Sequence, residues 1–256
     1  MITKIDFQTL SKEYKNNKPF PHIVIDNFLK DDFCKQIEQS FPDHTEKFWL
    51  KYNNPVERKL LYNHLDSAMP KKIKNLLLSL NEPWFLNYLE NLTGIRNLIS
   101  DPKFHGGGMH CTKRYGKLDV HVDYSIHPEL NCERRINLIL YLNSDWDDAY
   151  GGNLEFWDTE INNCIKSIKP KFNRAVIFNT SDISFHGHPN PLMCPKNKCR
   201  KSLAWYFLTE PQKGVTERYR AKFVARPNDP KDKETEDFRK KRSEVSKKNK
   251  LFEMEK

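Results

Sequence analysis

No stretch of this chain approaches the roughly 18 consecutive apolar residues of a membrane-spanning helix, which excludes an α-helical membrane protein. Met1-Ile2-Thr3-Lys4-Ile5-Asp6 lacks the apolar run of a secretory signal, so a cytoplasmic location is expected. Six cysteines (Cys34, Cys111, Cys132, Cys164, Cys194, Cys199) form no C-x-x-C pair and no zinc-finger spacing. That disfavours a disulfide scaffold or a small zinc module, and free thiols in a reducing compartment are expected. Repeats and low-complexity tracts are also absent, and the nine glycines and fifteen prolines are scattered. Aromatic residues are plentiful: 16 Phe, 10 Tyr and 5 Trp supply core material for a folded chain of 256 residues.

The net charge of +9 is concentrated late, in Arg239-Lys240-Lys241-Arg242 and Lys247-Lys248-Asn249-Lys250. No aromatic residues for base stacking are interleaved with these charges. A solvated, partly helical tail is therefore expected, dispensable for chemistry, in preference to a nucleic-acid or membrane contact.

The first hundred residues read mostly as helix. Pro21-His22-Ile23-Val24-Ile25-Asp26 reads as a short strand, and Asp31 or Asp32 can cap a helix running through Phe41. Further helices are predicted over about 71–80, and from about Asn81 to a stop before Gly94, with Pro83 tolerated in the first turn. From about Lys103 the pattern changes to short strands, at 118–123, 134–143, 153–157, 164–168, 174–179, 183–187 and 200–209. Many short strands without intervening helices indicate a mainly β fold, a double-sheet jelly roll flanked by N-terminal helices. The division expected is a support region (1–100), a catalytic core (101–225) and a charged tail (226–256).

His121-Val122-Asp123 is the most informative segment. Residues i and i+2 of a strand point the same way, so His121 and Asp123 can share one metal. A third ligand must come from a distant strand, and His186 is the candidate. Two histidines and one carboxylate bind ferrous iron and leave positions open for substrate chemistry. Alternation completes the pattern. In 136–142 the even positions are all aliphatic and pack between layers, which puts Asn137 and Tyr141 on the opposite face. In 200–207, Arg200, Ser202, Ala204 and Tyr206 share a face, and Lys201, Leu203, Trp205 and Phe207 share the other. A face of small and polar residues leaves room for a bound anion, and Arg200 can grip a carboxylate with its planar fork.

Together these residues resemble the iron(II)- and 2-oxoglutarate-dependent oxygenases, in the branch that includes the prolyl hydroxylases. The resemblance runs through Gly106-Gly107-Gly108-Met109-His110, His121-Val122-Asp123, Arg134-Arg135-Ile136-Asn137, Tyr141-Leu142-Asn143, Gly151-Gly152-Asn153-Leu154, His186-Gly187-His188-Pro189 and Arg200-Lys201-Ser202-Leu203. Pro19-Phe20-Pro21-His22 and Asp26-Asn27-Phe28-Leu29 resemble the opening of the same branch.

The resemblance implies a distorted double-stranded β-helix, with His121, Asp123 and His186 on iron and Arg200 on the distal carboxylate of 2-oxoglutarate. Tyr141 resembles the family tyrosine that touches the same carboxylate. His188 is the alternative third ligand, and His110 the candidate to support the ligands from behind. Fe(II), 2-oxoglutarate and O₂ are implied, with ascorbate as a candidate reductant. The implied reaction is hydroxylation of an unactivated C–H bond, of a prolyl residue or of a small molecule or sugar. Three rival readings fit the residues less well. A nucleic-acid demethylase would carry a second arginine six residues after Arg200, where Tyr206 stands. A zinc hydrolase would have no use for Arg200. A non-catalytic barrel would be expected to lack a ligand, and none is missing.

Overall fold

The change of period near residue 100 corresponds to a helical layer and a β layer that share one core. The computed structural model describes residues 1–3 and 7–244. Helices α1 (Phe7–Asn16), α2 (Asp31–Gln39), α3 (Lys71–Ser79) and α4 (Pro83–Thr93) precede most of the strands. Helix α4 begins with Pro83 in its first turn and ends at Gly94 in the left-handed region at φ 79°, where a side chain would be strained. Asp31 and Asp32 are not caps. Lys30 occupies the cap position of α2 without a side-chain cap, and both aspartates lie in the first turn, where they complement the helix dipole.

Among the described residues thirteen strands follow or interleave: β1 (His22–Ile25), β2 (Leu50–Asn53), β3 (Glu57–Tyr62), β4 (Ile99–Ser100), β5 (Gly108–Lys113), β6 (Lys117–Val122), β7 (Glu133–Tyr141), β8 (Leu154–Trp157), β9 (Cys164–Ile168), β10 (Ala175–Asn179), β11 (His186–His188), β12 (Cys199–Thr209) and β13 (Lys222–Phe223). They form one antiparallel sheet that curls on itself in the manner of a jelly-roll-like double-stranded β-helix. The order is β1-β10-β7-β12-β5-β3-β6-β11-β8-β9, with β13 on β6, β2 on β3 and β4 on β12. Strand β3 is the seam: with β2 along one edge, its other edge pairs with β6 at Glu57 and Arg58 and with β5 at Leu60, Leu61 and Tyr62. The strand order thus runs from the helix-backed part, through β3, to the strands that bear His121 and His186.

Alternation along β7 and β12 sorts side chains as the sequence suggests. Ile136, Leu138, Leu140 and Leu142 are fully buried with Leu203, Trp205 and Phe207 in a core that includes Ile37, Ile73, Leu77, Phe85 and Leu89 of the helices. Trp205 also donates from Nε1 to the Leu77 carbonyl at 3.0 Å, joining β12 to α3. Removing so large a buried ring costs about 3–5 kcal/mol. Tyr141, Phe156, Val176 and Phe178 form a second apolar cluster, which Ile139 packs against. The face of β7 opposite the helical core is therefore the one that carries Asn137 and Tyr141.

Two further features depart from the sequence reading. Strands β2 and β3 lie in a region read as mostly helical; β3, with the sequence Glu-Arg-Lys-Leu-Leu-Tyr, has no clean alternation because it is a seam with partners on both edges. The basic segment is also not a free tail where it is described. Residues Lys233–Ser243 form helix α5, capped by Asp232, with Arg239 buried against the sheet. Its two arginines are paired rather than solvated: Arg239 meets Asp119 at 3.0 Å and Arg242 meets Glu57 at 2.6 Å, while Lys240 and Lys241 are exposed. Lys247, Lys248 and Lys250 lie outside the described residues.

Candidate metal centre and anion pocket

β6 and β11 are neighbours in the sheet, and their register sets His186 directly opposite His121. The two rings approach to 4.4 Å between centroids. Asp123, just past the end of β6, lies 3.4 Å by Oδ1 from His121 Nε2 and 3.4 Å by Oδ2 from His186 Nε2. One ligand atom from each of the three residues falls within 4.8 Å of the others, so a single ion could be held between them.

Ring orientation fits that role. His121 Nδ1 lies 2.8 Å from the Asp119 carbonyl and His186 Nδ1 lies 2.7 Å from the Ser184 carbonyl. A carbonyl only accepts, so each Nδ1 carries the proton and each Nε2 lone pair is left for a metal. Burial lowers the pKa of His121, helped by His186 and opposed by Asp123, and so favours the neutral, ligating form. Burial alone would raise the Asp123 pKa, but Arg134 and the imidazoles outweigh it and hold the carboxyl well below the usual carboxylate range. The site presents one carboxylate and two imidazole nitrogens, a donor set suited to ferrous iron.

Glycine between the two histidines of β11 is required by close packing. A Cβ on Gly187 would lie 2.7 Å from the Leu118 carbonyl oxygen and 2.8 Å from that of Asp119. The register shifts at this point, so that His188 pairs with Leu118 rather than following His186 into the Asp123 cluster.

His188 instead belongs to a buried cationic pocket. Its Nδ1 has no hydrogen-bond partner among the described residues. Burial pushes its pKa well down, and Arg200, Lys59, His121 and His110 add to the effect. Arg200 is 6% exposed and donates from Nη2 to the Tyr141 hydroxyl at 3.0 Å. Its Nε has no partner, and among the described residues it forms no ion pair. A buried guanidinium with only a neutral partner is costly, and burial lowers its pKa for that reason. A carboxylate is the group that this pocket lacks, so it fits the distal carboxylate of 2-oxoglutarate. Lys201 points away and lies 5.9 Å from the Phe41 ring.

His110 does not touch the ligand cluster through any hydrogen bond of its own: its Nε2 meets the Gly106 carbonyl at 3.0 Å. His127 is fully buried 3.5 Å from Asp101, and His105 meets the Tyr124 and His127 rings edge to face. Residues to which sequence reasoning gave no role support Asp123. Asn137 donates from Nδ2 to Oδ2 at 2.7 Å, and Arg134 Nη2 lies 2.9 Å from the same oxygen. Arg134 also donates from Nε to Asn137 Oδ1 at 2.8 Å, and its guanidinium sits 3.3 Å from the centre of the Tyr206 ring. Strict alternation would place Arg134 on the helix-facing side. A β-bulge changes that: between Phe207 and Leu208 β12 advances one residue while β7 advances two, from Ile136 to Arg134. Arg218, far along the chain, donates from Nε to the Asp123 carbonyl at 2.8 Å and from Nη1 to Asp182 at 2.7 Å.

Beside Asp123 and Arg134 opens a cavity of about 230 Å³, walled also by Glu133, Asp182, Lys213 and Arg218. Its walls mix polar and apolar surface, carry both signs of charge, and border the ligand cluster directly.

Comparison with known proteins agrees with this geometry. Residues 107–208 match the 2OG-Fe(II) oxygenase superfamily. The chain is 27% identical over 207 residues to prolyl 3-hydroxylase OGFOD1 of Xenopus laevis, covering 77% of this chain and 37% of that protein. It is 27% identical over 179 residues to the Mus musculus protein of the same name, covering 66% and 29%. The chain thus spans about a third of the length of these curated relatives. Among solved structures it resembles a Trichoplax adhaerens prolyl hydroxylase in complex with a hypoxia inducible factor peptide fragment (TM-score 0.56, 17% identity, 80% of this chain and 94% of that one). It also resembles a Pseudomonas putida prolyl-4-hydroxylase (TM-score 0.51, 14% identity, 79% and 100%). These likenesses speak for the fold. The residues from β5 through β12 thus match the 2OG-Fe(II) oxygenase superfamily, and the chain as a whole is similar to prolyl hydroxylases.

Proposed function

We propose that this chain is an Fe(II)- and 2-oxoglutarate-dependent dioxygenase that hydroxylates an unactivated C–H bond, with a prolyl residue of a protein as the substrate class. One observation carries the reading: a His-Asp-His set with both Nε2 atoms aimed inward adjoins a buried arginine that has no carboxylate. His121, Asp123 and His186 would hold the iron, Arg200 and Tyr141 the distal carboxylate of 2-oxoglutarate. When bound, iron with 2-oxoglutarate and O₂ supplies the oxidising power that the side chains of this chain lack. The protein's share is to place the three ligands, keep Asp123 ionised through Arg134 and Asn137, and offer a neutralising cation to the cosubstrate. Ascorbate is a candidate reductant for keeping the metal ferrous.

The cavity beside Asp123 supports a peptide substrate, because its mixed polar walls can pair with backbone carbonyls and amides. The curated relatives named prolyl 3-hydroxylase and the peptide complex of the Trichoplax protein point the same way. Arg239 and Arg242, committed to Asp119 and Glu57, offer little to a nucleic acid. In this reading 101–225 is the catalytic core, 1–100 its support and 226–256 a charged extension. No helix among the described residues is long and apolar enough to cross a membrane. We place the protein in the cytoplasm, in keeping with its six free cysteines.

The test is succinate formation from 2-oxoglutarate against a panel of proline-containing peptides, amino acids and nucleotide sugars, with mass spectrometry of the products. Oxygen-atom incorporation into a peptide, dependent on Fe(II), supports the proposal; incorporation only into a small molecule would replace the substrate class.

A further inference from the structure

The strand that carries His121 is fastened along its length by the C-terminal part of the chain. β13 pairs with β6, setting Phe223 opposite His121, and their rings lie 5.0 Å apart. Val224 donates its backbone N–H to the Val120 carbonyl at 2.9 Å. Behind this hairpin-like strap lies α5. Its Arg239 reaches Asp119 Oδ2 at 3.0 Å, while Lys117 holds Oδ1 at 2.7 Å. Asp119 is 2% exposed, so this carboxylate needs both cations to be tolerable. It is also the residue whose carbonyl, 2.8 Å from His121 Nδ1, fixes the tautomer and tilt of the imidazole. One residue thus receives an arginine on its side chain and a candidate metal ligand on its backbone.

We propose that Arg239 is a positioning residue for the metal centre. Through the Asp119 carboxylate it anchors the carbonyl that keeps His121 Nε2 aimed at the ion. This rests on the metal reading above. Groups behind metal-bound histidines typically matter by about 10- to 100-fold in metal affinity, because they set ring orientation and basicity. The alternative is that Arg239 only docks α5, in which case any change that loosens the helix should have the same effect.

The experiment measures Mn(II) binding by the full-length apoprotein, followed by electron paramagnetic resonance of the free ion, without cosubstrate or turnover. Arg239→Gln is expected to weaken binding about tenfold, and Asp119→Asn to do the same. Asp232→Ala removes the hydrogen bond to the Thr235 amide that caps α5 and touches nothing on β6. It should lower Tm yet leave Mn(II) affinity unchanged. Equal losses in Asp232→Ala and Arg239→Gln would overturn the proposal in favour of simple docking, as would wild-type affinity in both Arg239→Gln and Asp119→Asn. If Arg239→Gln fails to fold, Asp119→Asn against Asp232→Ala decides the matter. A wild-type chain that binds no Mn(II), or a His121→Ala variant that binds it equally well, would overturn the metal reading itself, a separate outcome.

Discussion

Asn137 Nδ2 donates to Asp123 Oδ2 at 2.7 Å, tying β7, at the centre of the helix-backed strands, to the end of β6 on the far side of the barrel. Arg134 forms an ion pair with that oxygen and donates from Nε to Asn137 Oδ1, so turning Asp123 would cost it both the hydrogen bond and the ion pair. Asn137→Ala should therefore lower metal affinity by about 10- to 100-fold while the barrel stays folded. Metal titration paired with circular dichroism checks this; unchanged affinity would remove Asn137 from the support of the site.

Asp123→Ala removes the only anionic donor of the cluster. Metal binding and 2-oxoglutarate turnover should both disappear. Full turnover in that variant would sink the ligand assignment.

The two histidines of β11 should separate cleanly. His186→Ala is expected to lose metal, because His186 faces His121 and Asp123. His188→Ala should retain metal and alter 2-oxoglutarate affinity, because His188 belongs to the pocket with Arg200. Metal content measured after dialysis distinguishes them, and metal loss confined to His188→Ala would reverse the assignment.

Arg200→Ala should raise the 2-oxoglutarate requirement while leaving metal in place. Losing a buried charge-assisted pair costs about 2–5 kcal/mol, or roughly 30- to several-thousand-fold in affinity. Lys201→Ala, altering the opposite face of the same strand, should change it little. Equal losses in a binding titration would contradict the face assignment.

Acid should destabilise the fold from about pH 6.5 downward. Burial, with Lys59 and Arg200 adding, lowers His110 to about 3; burial, with His127 adding, lowers His105 to about 4. Between those values and the ordinary histidine pKa of about 6.5, the unfolded chain binds protons that the folded chain refuses, so stability falls as pH falls. Each group contributes a slope of about 1.4 kcal/mol per pH unit within its own window. Denaturant unfolding at pH 7 and pH 5 should show the loss, and His110→Phe should reduce it. A variant with the wild-type pH slope would show that His110 titrates normally in the folded chain.

The sequence by itself determined what local geometry repeats. A period of two along 136–142 and 200–207 places alternate residues on opposite faces whatever the chain does elsewhere, so the core face, Arg200 and Tyr141 were legible. His121 and Asp123 share a strand face for the same reason, and Pro83 and Gly94 mark helix ends through their own backbone limits. What needed the tertiary structure is everything set by register and closure. The shift on β11 chooses His186 over His188 for the Asp123 cluster, and the bulge in β7 turns Arg134 toward the site; neither leaves a periodic trace. β3 lacks alternation because it serves as a seam between two parts of the barrel. The basic segment reads as solvent-loving by composition, yet Arg239 is buried and Arg242 is half-buried. Their partners, Asp119 and Glu57, lie more than a hundred residues away in the chain, and only the folded sheet brings them together.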